Sequence, residues 1–179
     1  MEESLPHIKR AVDKQWSRKQ GQAGAYQVAS QLLLRGVNVF FPAVDVGADL
    51  LTGSGVRVQV KSTYLSCRRG ADFPAGAYWF HFYKQVLDHG RRRNAPRDFV
   101  AECDVVVLWG IDHNKFWVVP AFELTDCQCL VLGETPNRSY RHPNARSRKI
   151  AGFENRWDLI ASHERLIHEP ESVEQEVNS

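Results

Sequence analysis

The sequence predicts a single α/β domain, in which a mixed β-sheet has an antiparallel hairpin at its centre and helices on its sides. Three observations predict this fold. Val56, Val58 and Val60 alternate with polar residues after a glycine-flanked turn, which is the pattern of a half-buried strand. Residues 104–109 form an almost continuous apolar run, typical of a strand that is buried on both faces. Residues 22–35 carry an apolar stripe at helical spacing.

Length and composition are those of a globular protein. The chain has 179 residues and a formal net charge of +2, and this length suits one domain with a hydrophobic core. No apolar run is long enough to span a bilayer, and the acidic N-terminus does not have the pattern of a signal peptide. We therefore expect a cytoplasmic protein without membrane contact. We expect a helical extension over residues 1–19, one domain over residues 20–168 and a disordered acidic tail over residues 169–179.

The first elements follow from apolar spacing and from breaker residues. Ile8, Val12 and Trp16 recur every fourth residue, which indicates a short N-terminal helix. A second helix is expected over residues 22–35, and Gly36 ends it. Residues 37–41 are β-branched or aromatic at most positions, so they predict a strand that ends before Pro42.

The hairpin over residues 45–62 is the most informative stretch. A three-residue loop, Gly53 to Gly55, would place Asp49 directly across from Gln59. A shift of one residue would reverse the face of every side chain. The three-residue loop is therefore the predicted register, with the valines in the core and with Gln59 and Lys61 on the opposite face.

The remaining elements are a series of strands joined by polar loops. We expect a loop over residues 62–76, a basic loop around Arg91, Arg92 and Arg93, and a basic loop over residues 134–152. Strands are expected at residues 78–82, 104–109, 116–120 and 129–132, and a short helical turn before the last of them. A closing helix is expected at residues 155–168, with Trp157, Ile160, Ala161 and Leu166 directed inward.

The polar side chains of the predicted hairpin suit the hydrolysis of a phosphodiester. Asp49, the amide oxygen of Gln59 and the backbone carbonyl of Val60 are hard oxygen ligands of the kind that Mg²⁺ or Mn²⁺ binds. Such an ion polarises a phosphate and lowers the pKa of an attacking water. Lys61 would orient that water or neutralise charge in the transition state. A purely structural ion pair between Asp49 and Lys61 is the alternative interpretation.

The motifs resemble those of the PD-(D/E)XK nuclease superfamily. The similarity is to the branch that contains archaeal Holliday junction resolvases, Mrr-type restriction endonucleases and a group I intron homing endonuclease. In order, the sequence has Gly21-Gln22-Ala23-Gly24, then Asp45-Val46-Gly47-Ala48-Asp49, then Gln59-Val60-Lys61-Ser62. They match the G-x-x-G-E, D-x-G-x-D and (E/Q)-x-K patterns of that branch. Ala25 stands where relatives carry a glutamate, and Gln59 stands at the central acidic position.

The resemblance implies a restriction-endonuclease-like fold and a metal-dependent DNA endonuclease. It implies that Asp49, Gln59 and Lys61 are catalytic, with weakly bound Mg²⁺ or Mn²⁺ held by Asp49, Gln59 and Val60, and Asp45 a second carboxylate that we interpret as structural. It also allows a homodimer. The alternative is a catalytically degenerate domain that binds nucleic acid or a protein partner without cleavage, because Ala25 removes one carboxylate.

Basic residues indicate where DNA would bind. Although the net charge is small, positive charges concentrate between Lys84 and Arg97 and between Arg138 and Arg156. Such concentrations are typical of surfaces that contact a polyanion. The predicted DNA-binding residues are those of the two basic segments and the two hydroxyl residues after the motif: Ser62, Thr63, Arg91, Arg92, Arg93, Arg146, Arg148 and Lys149.

Overall fold

The computed structural model of the chain describes residues 6–44, 46–66, 76–89, 91–133 and 145–162. Its helices are Pro6–Leu33 (α1), Phe99–Glu102 (α2) and Ala145–Ala151 (α3), with a 3₁₀ turn at Ala121–Leu124. Its strands are Val39–Phe40 (β1), Leu50–Thr52 (β2), Arg57–Thr63 (β3), Leu65–Ser66 (β4), Ala77–His81 (β5), Tyr83–Asp88 (β6), Arg91–Pro96 (β7), Val105–Gly110 (β8), Lys115–Pro120 (β9) and Cys129–Gly133 (β10).

A five-stranded mixed sheet in the order β1-β2-β3-β8-β9 forms the centre of the domain. β3 is its middle strand, and it pairs antiparallel with β2 and parallel with β8. β9 runs antiparallel to β8, and residues 153–155 cover its outer edge through the bond from Val118 N to Phe153 O. The predicted α/β fold, a mixed sheet built on an antiparallel hairpin and flanked by helices, is therefore confirmed.

Two hydrophobic clusters lie on opposite faces of this sheet. On one face, the valines of β3 pack with α1 and with Trp157 and Ile160 of the C-terminal segment. On the other face, Val106 and Leu108 of β8 pack against the aromatic residues of β5. A strand that is covered on both sides needs apolar residues at every position, which explains the continuous apolar run of β8.

The second layer is a three-stranded sheet in the order β10-β5-β4. Tyr78, Phe80 and Phe82 share one face, as the sequence pattern predicted, and all three are buried in the cluster beneath this sheet. β10 pairs with β5 over its full length. Within the predicted loop over residues 62–76, β3 extends to Thr63 and Leu65–Ser66 forms β4, while residues 67–75 lie outside the described residues.

Helix α1 is longer than expected. The two separate helices predicted for the N-terminal part form one helix of 28 residues. Gly21 lies inside it and does not interrupt it, because one glycine costs a helix only about 1 kcal/mol. The helix ends as predicted before Gly36, whose φ is +78° and whose N–H donates to Leu33 O. The domain boundary expected at residue 19 stays a prediction.

Both predicted basic loops contain regular structure. Arg91, Arg92 and Arg93 lie on β7, which among the described strands pairs only with β6 in a two-stranded ribbon. The described part of the second loop is helix α3, which carries Arg146, Arg148 and Lys149; residues 134–144 lie outside the described chain. The six basic residues predicted to bind DNA therefore lie on a strand and a helix and not on loops: Arg91, Arg92, Arg93, Arg146, Arg148 and Lys149.

The residues predicted to face inward in the C-terminal segment are buried or packed where they are described, but its helix begins at residue 158 and not at residue 155. Trp157 and Ile160 are buried and Ala161 packs against the same cluster. Residues 158–162 are helical, while Leu166 and the acidic tail lie outside the described residues. None of the helices in the described part of the chain has the length and apolar character needed to cross a bilayer.

Gly110 lies where the two layers of the domain are closely packed. A methyl group at this position would lie 2.7 Å from the ring of Tyr78, which is buried and whose hydroxyl is 2.7 Å from His113 Nδ1. We expect Gly110→Ala to lower the free energy of unfolding by about 1–3 kcal/mol, the usual cost of overpacking. Urea unfolding followed by fluorescence measures it.

Gly21→Ala is the control for this substitution. No atom lies within 4 Å of a methyl group at Gly21, so the change should be neutral or should stabilise the helix by up to about 1 kcal/mol. Equal stabilities of the Gly110→Ala protein and the wild type would contradict the close contact between Gly110 and Tyr78.

Candidate functional site

The β2–β3 hairpin has the predicted register. Leu50 pairs with Val58 and Leu51 with Arg57, so the same register sets Asp49 opposite Gln59. The backbone continues this pairing, since Asp49 N donates to Val58 O at 3.0 Å. The loop is the expected three residues, with Gly55 at a φ of +84°, a conformation that favours glycine.

Asp49, Gln59 and Val60 converge at this point of the sheet. Asp49 Oδ2 accepts a hydrogen bond from Val60 N at 2.7 Å and another from Gln59 Nε2. Gln59 Nε2 also donates to Val60 O at 3.2 Å. Gln59 is only 4% exposed, so these bonds satisfy an amide that would otherwise be costly to bury. The Gln59 carboxamide is thus within hydrogen-bonding distance of both the Asp49 carboxylate and the backbone carbonyl of Val60.

Lys61 lies on the same face of β3 as Gln59, two residues further along the strand. Burial lowers the pKa of Lys61, and the positive charge of Arg97 lowers it further. Asp49 and Glu102 act in the opposite direction, because their negative charges favour the ammonium form. Lys61 is therefore a partly buried amine whose charged form is less favourable than in water, a state suited to proton transfer or to binding an anion.

These residues line one cleft of about 550 Å³. The cleft is lined by the loop after β1, which includes the apolar residues Phe41, Pro42 and Val44. It is also lined by the loop before β2, by strand β3 and by the segment after β7. The lining residues in the described chain are Gly21, Phe41, Pro42, Ala43, Val44, Gly47, Ala48, Asp49, Gln59, Val60, Lys61 and Arg97.

Arg97 and Glu102 are not among the site residues that the sequence predicts. Arg97 lines the cleft, and its Nε donates to Glu102 Oε2 at 2.7 Å. Glu102 also lies 3.5 Å from Lys84 Nζ. In the sequence Arg97 is one charge of a basic segment, and no local spacing connects it to the Gln59-Val60-Lys61 motif. Only the tertiary fold brings the two together.

Helix α1 contributes its backbone to the cleft, through Gly21. Gln22 donates to the hydroxyl of Tyr26 in an exposed position and does not line the cleft. Ala25 is buried in the cluster beneath β3. Asp45 lies outside the described residues. In the described ranges there is no group of three or more His, Cys, Asp or Glu side chains arranged to hold a metal ion.

Ser62 and Thr63 take different directions at the end of the motif. The hydroxyl of Ser62 donates to Gln20 O at 3.3 Å, and Gln20 Nε2 donates back to Ser62 O at 3.0 Å. Ser62 therefore joins β3 to α1 and does not line the cleft. Thr63 Oγ1 donates to Tyr64 O at 3.4 Å in an exposed position.

The predicted DNA-binding residues outside the motif do not line the cleft. Arg93 is exposed on the ribbon and pairs with Asp88 at 3.1 Å; the side chains of Arg91 and Arg92 lie outside the described part. On α3, Arg146 and Arg148 are exposed, and Lys149 pairs with Glu123 at 2.7 Å. These residues form two separate basic elements, and their contact with DNA stays a prediction.

The lowered pKa of Lys61 predicts an effect on stability. A folded-state pKa below the ordinary lysine value means that the charged amine destabilises the fold at neutral pH. This cost disappears as the pH rises from the folded-state pKa towards the ordinary value. We expect Lys61→Met to raise the free energy of unfolding at neutral pH, and the gain to shrink at about pH 10. Urea unfolding at the two pH values measures it.

Lys19→Met is the matched control, since Lys19 is exposed on α1 and its replacement should leave stability unchanged at both pH values. If the Lys61→Met protein were less stable than the wild type at neutral pH, attraction to Asp49 and Glu102 would outweigh burial, contrary to this interpretation.

Comparison with known proteins gives a structural likeness. No model of a known protein family matches the sequence, and no curated protein matches it significantly. A bacterial homing endonuclease, I-Ssp6803I, is similar in structure with a TM-score of 0.66 and 20% sequence identity, over 86% of this chain and 98% of that one. MepB has a TM-score of 0.41 and 12% identity, over 70% of this chain and 94% of that one, too low to support an argument. The chain therefore has a mixed α/β fold similar to that of a homing endonuclease.

Proposed function

We propose that this protein is a metal-dependent DNA endonuclease of the PD-(D/E)XK superfamily, in the branch with Holliday junction resolvases, Mrr-type enzymes and a homing endonuclease. The observation that carries the proposal is the convergence of Asp49, Gln59 and Val60 beside Lys61 in one cleft. The order of the motifs and the similarity of the fold to a homing endonuclease support it.

The donor set fits a hard divalent cation. Asp49 supplies a carboxylate and Val60 a backbone carbonyl, and both accept bonds from the Gln59 amide. Rotation of that amide by half a turn about its terminal bond would exchange Nε2 for Oε1, so the three groups would then present three oxygens. With a single carboxylate among the ligands, the affinity for Mg²⁺ or Mn²⁺ should be modest.

The residues of the chain divide the remaining tasks. When bound, the ion would polarise the phosphate and lower the pKa of the attacking water. Lys61, whose pKa is lowered by burial, would hold that water. The basic ribbon and α3 would contact the phosphate backbone, which positions DNA without reading its sequence. The homodimer that the resemblance allows stays a prediction.

Substitution of Asp49 tests the proposed active site. Asn at this position keeps the size of the side chain but removes the charge that would hold the ion. We expect Asp49→Asn to reduce nicking of supercoiled plasmid in Mg²⁺ or Mn²⁺ by at least about 100-fold, the usual order of loss for a group that stabilises transition-state charge.

Asp126→Asn is the matched control, because Asp126 is exposed and its φ of +56° is one that asparagine also adopts. It should cleave like the wild type. Nicking that survives Asp49→Asn would remove this site from consideration, and binding of DNA with no nicking by the wild type would favour the non-cleaving alternative.

Replacement of Gln59 by glutamate tests metal binding without a cleavage assay. A carboxylate here would face Asp49 and lose the bond that the amide now donates, so the metal-free protein should lose about 1–3 kcal/mol of stability. Mn²⁺ should restore it, because two carboxylates bind the ion more tightly than one. The measurement is thermal unfolding of Gln59→Glu and wild type in Mn²⁺ and in a chelator; equal Mn²⁺ effects on both would contradict a cation at this position.

A further inference from the structure

Arg97 is a second cation in the cleft. Its side chain is 20% exposed, it lines the cleft together with Lys61, and its charge acts on that amine. Two positive side chains that share a partly buried space repel each other, and this cost is reduced when an anion lies between or beside them. The cleft is therefore suited to a negatively charged group.

Glu102 holds Arg97 in one orientation. The hydrogen bond between Arg97 Nε and Glu102 Oε2 measures 2.7 Å, and Glu102 lies on α2, which Asp98 caps through its bond from Ala101 N at 3.2 Å. The contact with Glu102 engages Nε, which leaves the terminal nitrogens of the guanidinium to bind another group. The arginine is thus fixed at one end and can donate at the other.

Glu102 also packs against the loop that carries Asp49. A methyl group at Gly47 would lie 3.1 Å from Glu102 Cβ, and the φ of Gly47 is +79°. This close approach connects the Glu102–Arg97 pair to the segment immediately before Asp49. Glu102 therefore joins Arg97 to the segment before Asp49, and both Arg97 and Asp49 line the cleft.

Among the described residues that line the cleft, the balance of charge is positive, since Lys61 and Arg97 are cations and Asp49 is a carboxylate. Lys61, Arg97 and Lys84 are cations, whereas Asp49 and Glu102 are the carboxylates that act on them. The carboxylate of Asp49 already accepts bonds from Val60 N and the Gln59 amide, and Glu102 is shared between Arg97 and Lys84. Asp49 and Glu102 therefore do not fully neutralise the positive charges of Lys61, Arg97 and Lys84.

We propose that Arg97 is a phosphate-binding catalytic residue, which donates from its terminal nitrogens to the non-bridging oxygens of the phosphodiester under attack. This inference rests on the proposed function. Guanidinium suits the task because its planar set of donors matches the geometry of a phosphate and keeps its charge at any working pH. Lys61 would then position the attacking water, and Arg97 would stabilise the negative charge of the phosphoryl group.

The first test measures binding apart from cleavage. DNA affinity of the Asp49→Asn protein is compared with that of Asp49→Asn/Arg97→Gln over a range of salt concentrations. Loss of one phosphate contact should reduce the slope of log affinity against log salt by about 0.9. Arg57→Gln in the same background is the control, because Arg57 also pairs through its guanidinium with a carboxylate, Asp104, but does not line the cleft.

The second test measures the chemical step in the otherwise unaltered protein. Arg97→Gln should lower the single-turnover cleavage rate at saturating DNA by about 100-fold, and Arg97→Lys should lose less because it keeps the charge. Guanidinium chloride at millimolar concentration should restore part of the rate of an Arg97→Ala protein, which a purely structural role would not allow. Thermal unfolding of each variant confirms that it folds, and Arg97→Lys serves if the neutral variants do not.

The outcomes of the two tests distinguish failure of the Arg97 proposal from failure of the proposed active site. A reduced salt slope together with a rescued rate supports the phosphate contact. An unchanged slope and an unchanged single-turnover rate in the folded Arg97 variants would overturn it while Asp49 remains essential for nicking. Nicking that does not depend on Asp49 would instead overturn the proposed active site itself, and the two failures are therefore distinguishable.

Discussion

The register of the β2–β3 hairpin is the constraint on which the cleft depends. Thr52 Oγ1 accepts a bond from Val56 N at 3.0 Å, and Gly55 adopts a positive φ, so the loop closes in one way. A shift of one residue would move Asp49 to the other face of the sheet, into the cluster beneath α1. The chemistry of the cleft is therefore set by a turn that makes no contact with it.

The position of β3 in the middle of the sheet makes this register rigid. The strand is hydrogen-bonded on both sides, and α1 approaches it closely enough that a methyl group at Gly24 would lie 3.1 Å from Ser62 Oγ. Alternate residues of β3 consequently face two different environments. The valines contribute to a hydrophobic cluster, whereas Gln59 and Lys61 are polar groups held at a fixed place in a cleft.

The parts of the fold that the sequence predicts are those with a strong local pattern. The hairpin, the apolar strand β8 and the aromatic strand β5 each repeat with a period that follows from burial. The β6–β7 ribbon lacks such a pattern because it pairs with no other strand of the described chain, and Leu87 near its tip is 77% exposed. A ribbon without a buried face has no apolar period to detect. Helix α3 also lacks a strong pattern, because it is short and has only two buried residues, Ser147 and Ile150.

The residues of the cleft also differ in whether a local sequence pattern predicts their position. Asp49, Gln59 and Lys61 lie on two paired strands, so strand geometry alone relates them. Arg97 lines the cleft from the segment after the ribbon, and its partner Glu102 lies on α2, whose Phe99 packs with Phe82 in the core. Nothing in the spacing of the sequence contains that information. The position of Arg97 in the cleft therefore follows from tertiary packing and not from a local sequence pattern.

The presence of glutamine at position 59 has a consequence for how charge is distributed in the cleft. The amide donates to Asp49 and to Val60 O, so the site is satisfied in the absence of a cation. A second carboxylate there would need an ion to offset the repulsion between like charges. Under the proposed function, the glutamine would favour the metal-free fold and leave one carboxylate to hold the ion. Under the proposed function, further stabilisation of a phosphoryl group would come from a cation of the protein itself, and Arg97 is placed for this because it lines the cleft beside Lys61.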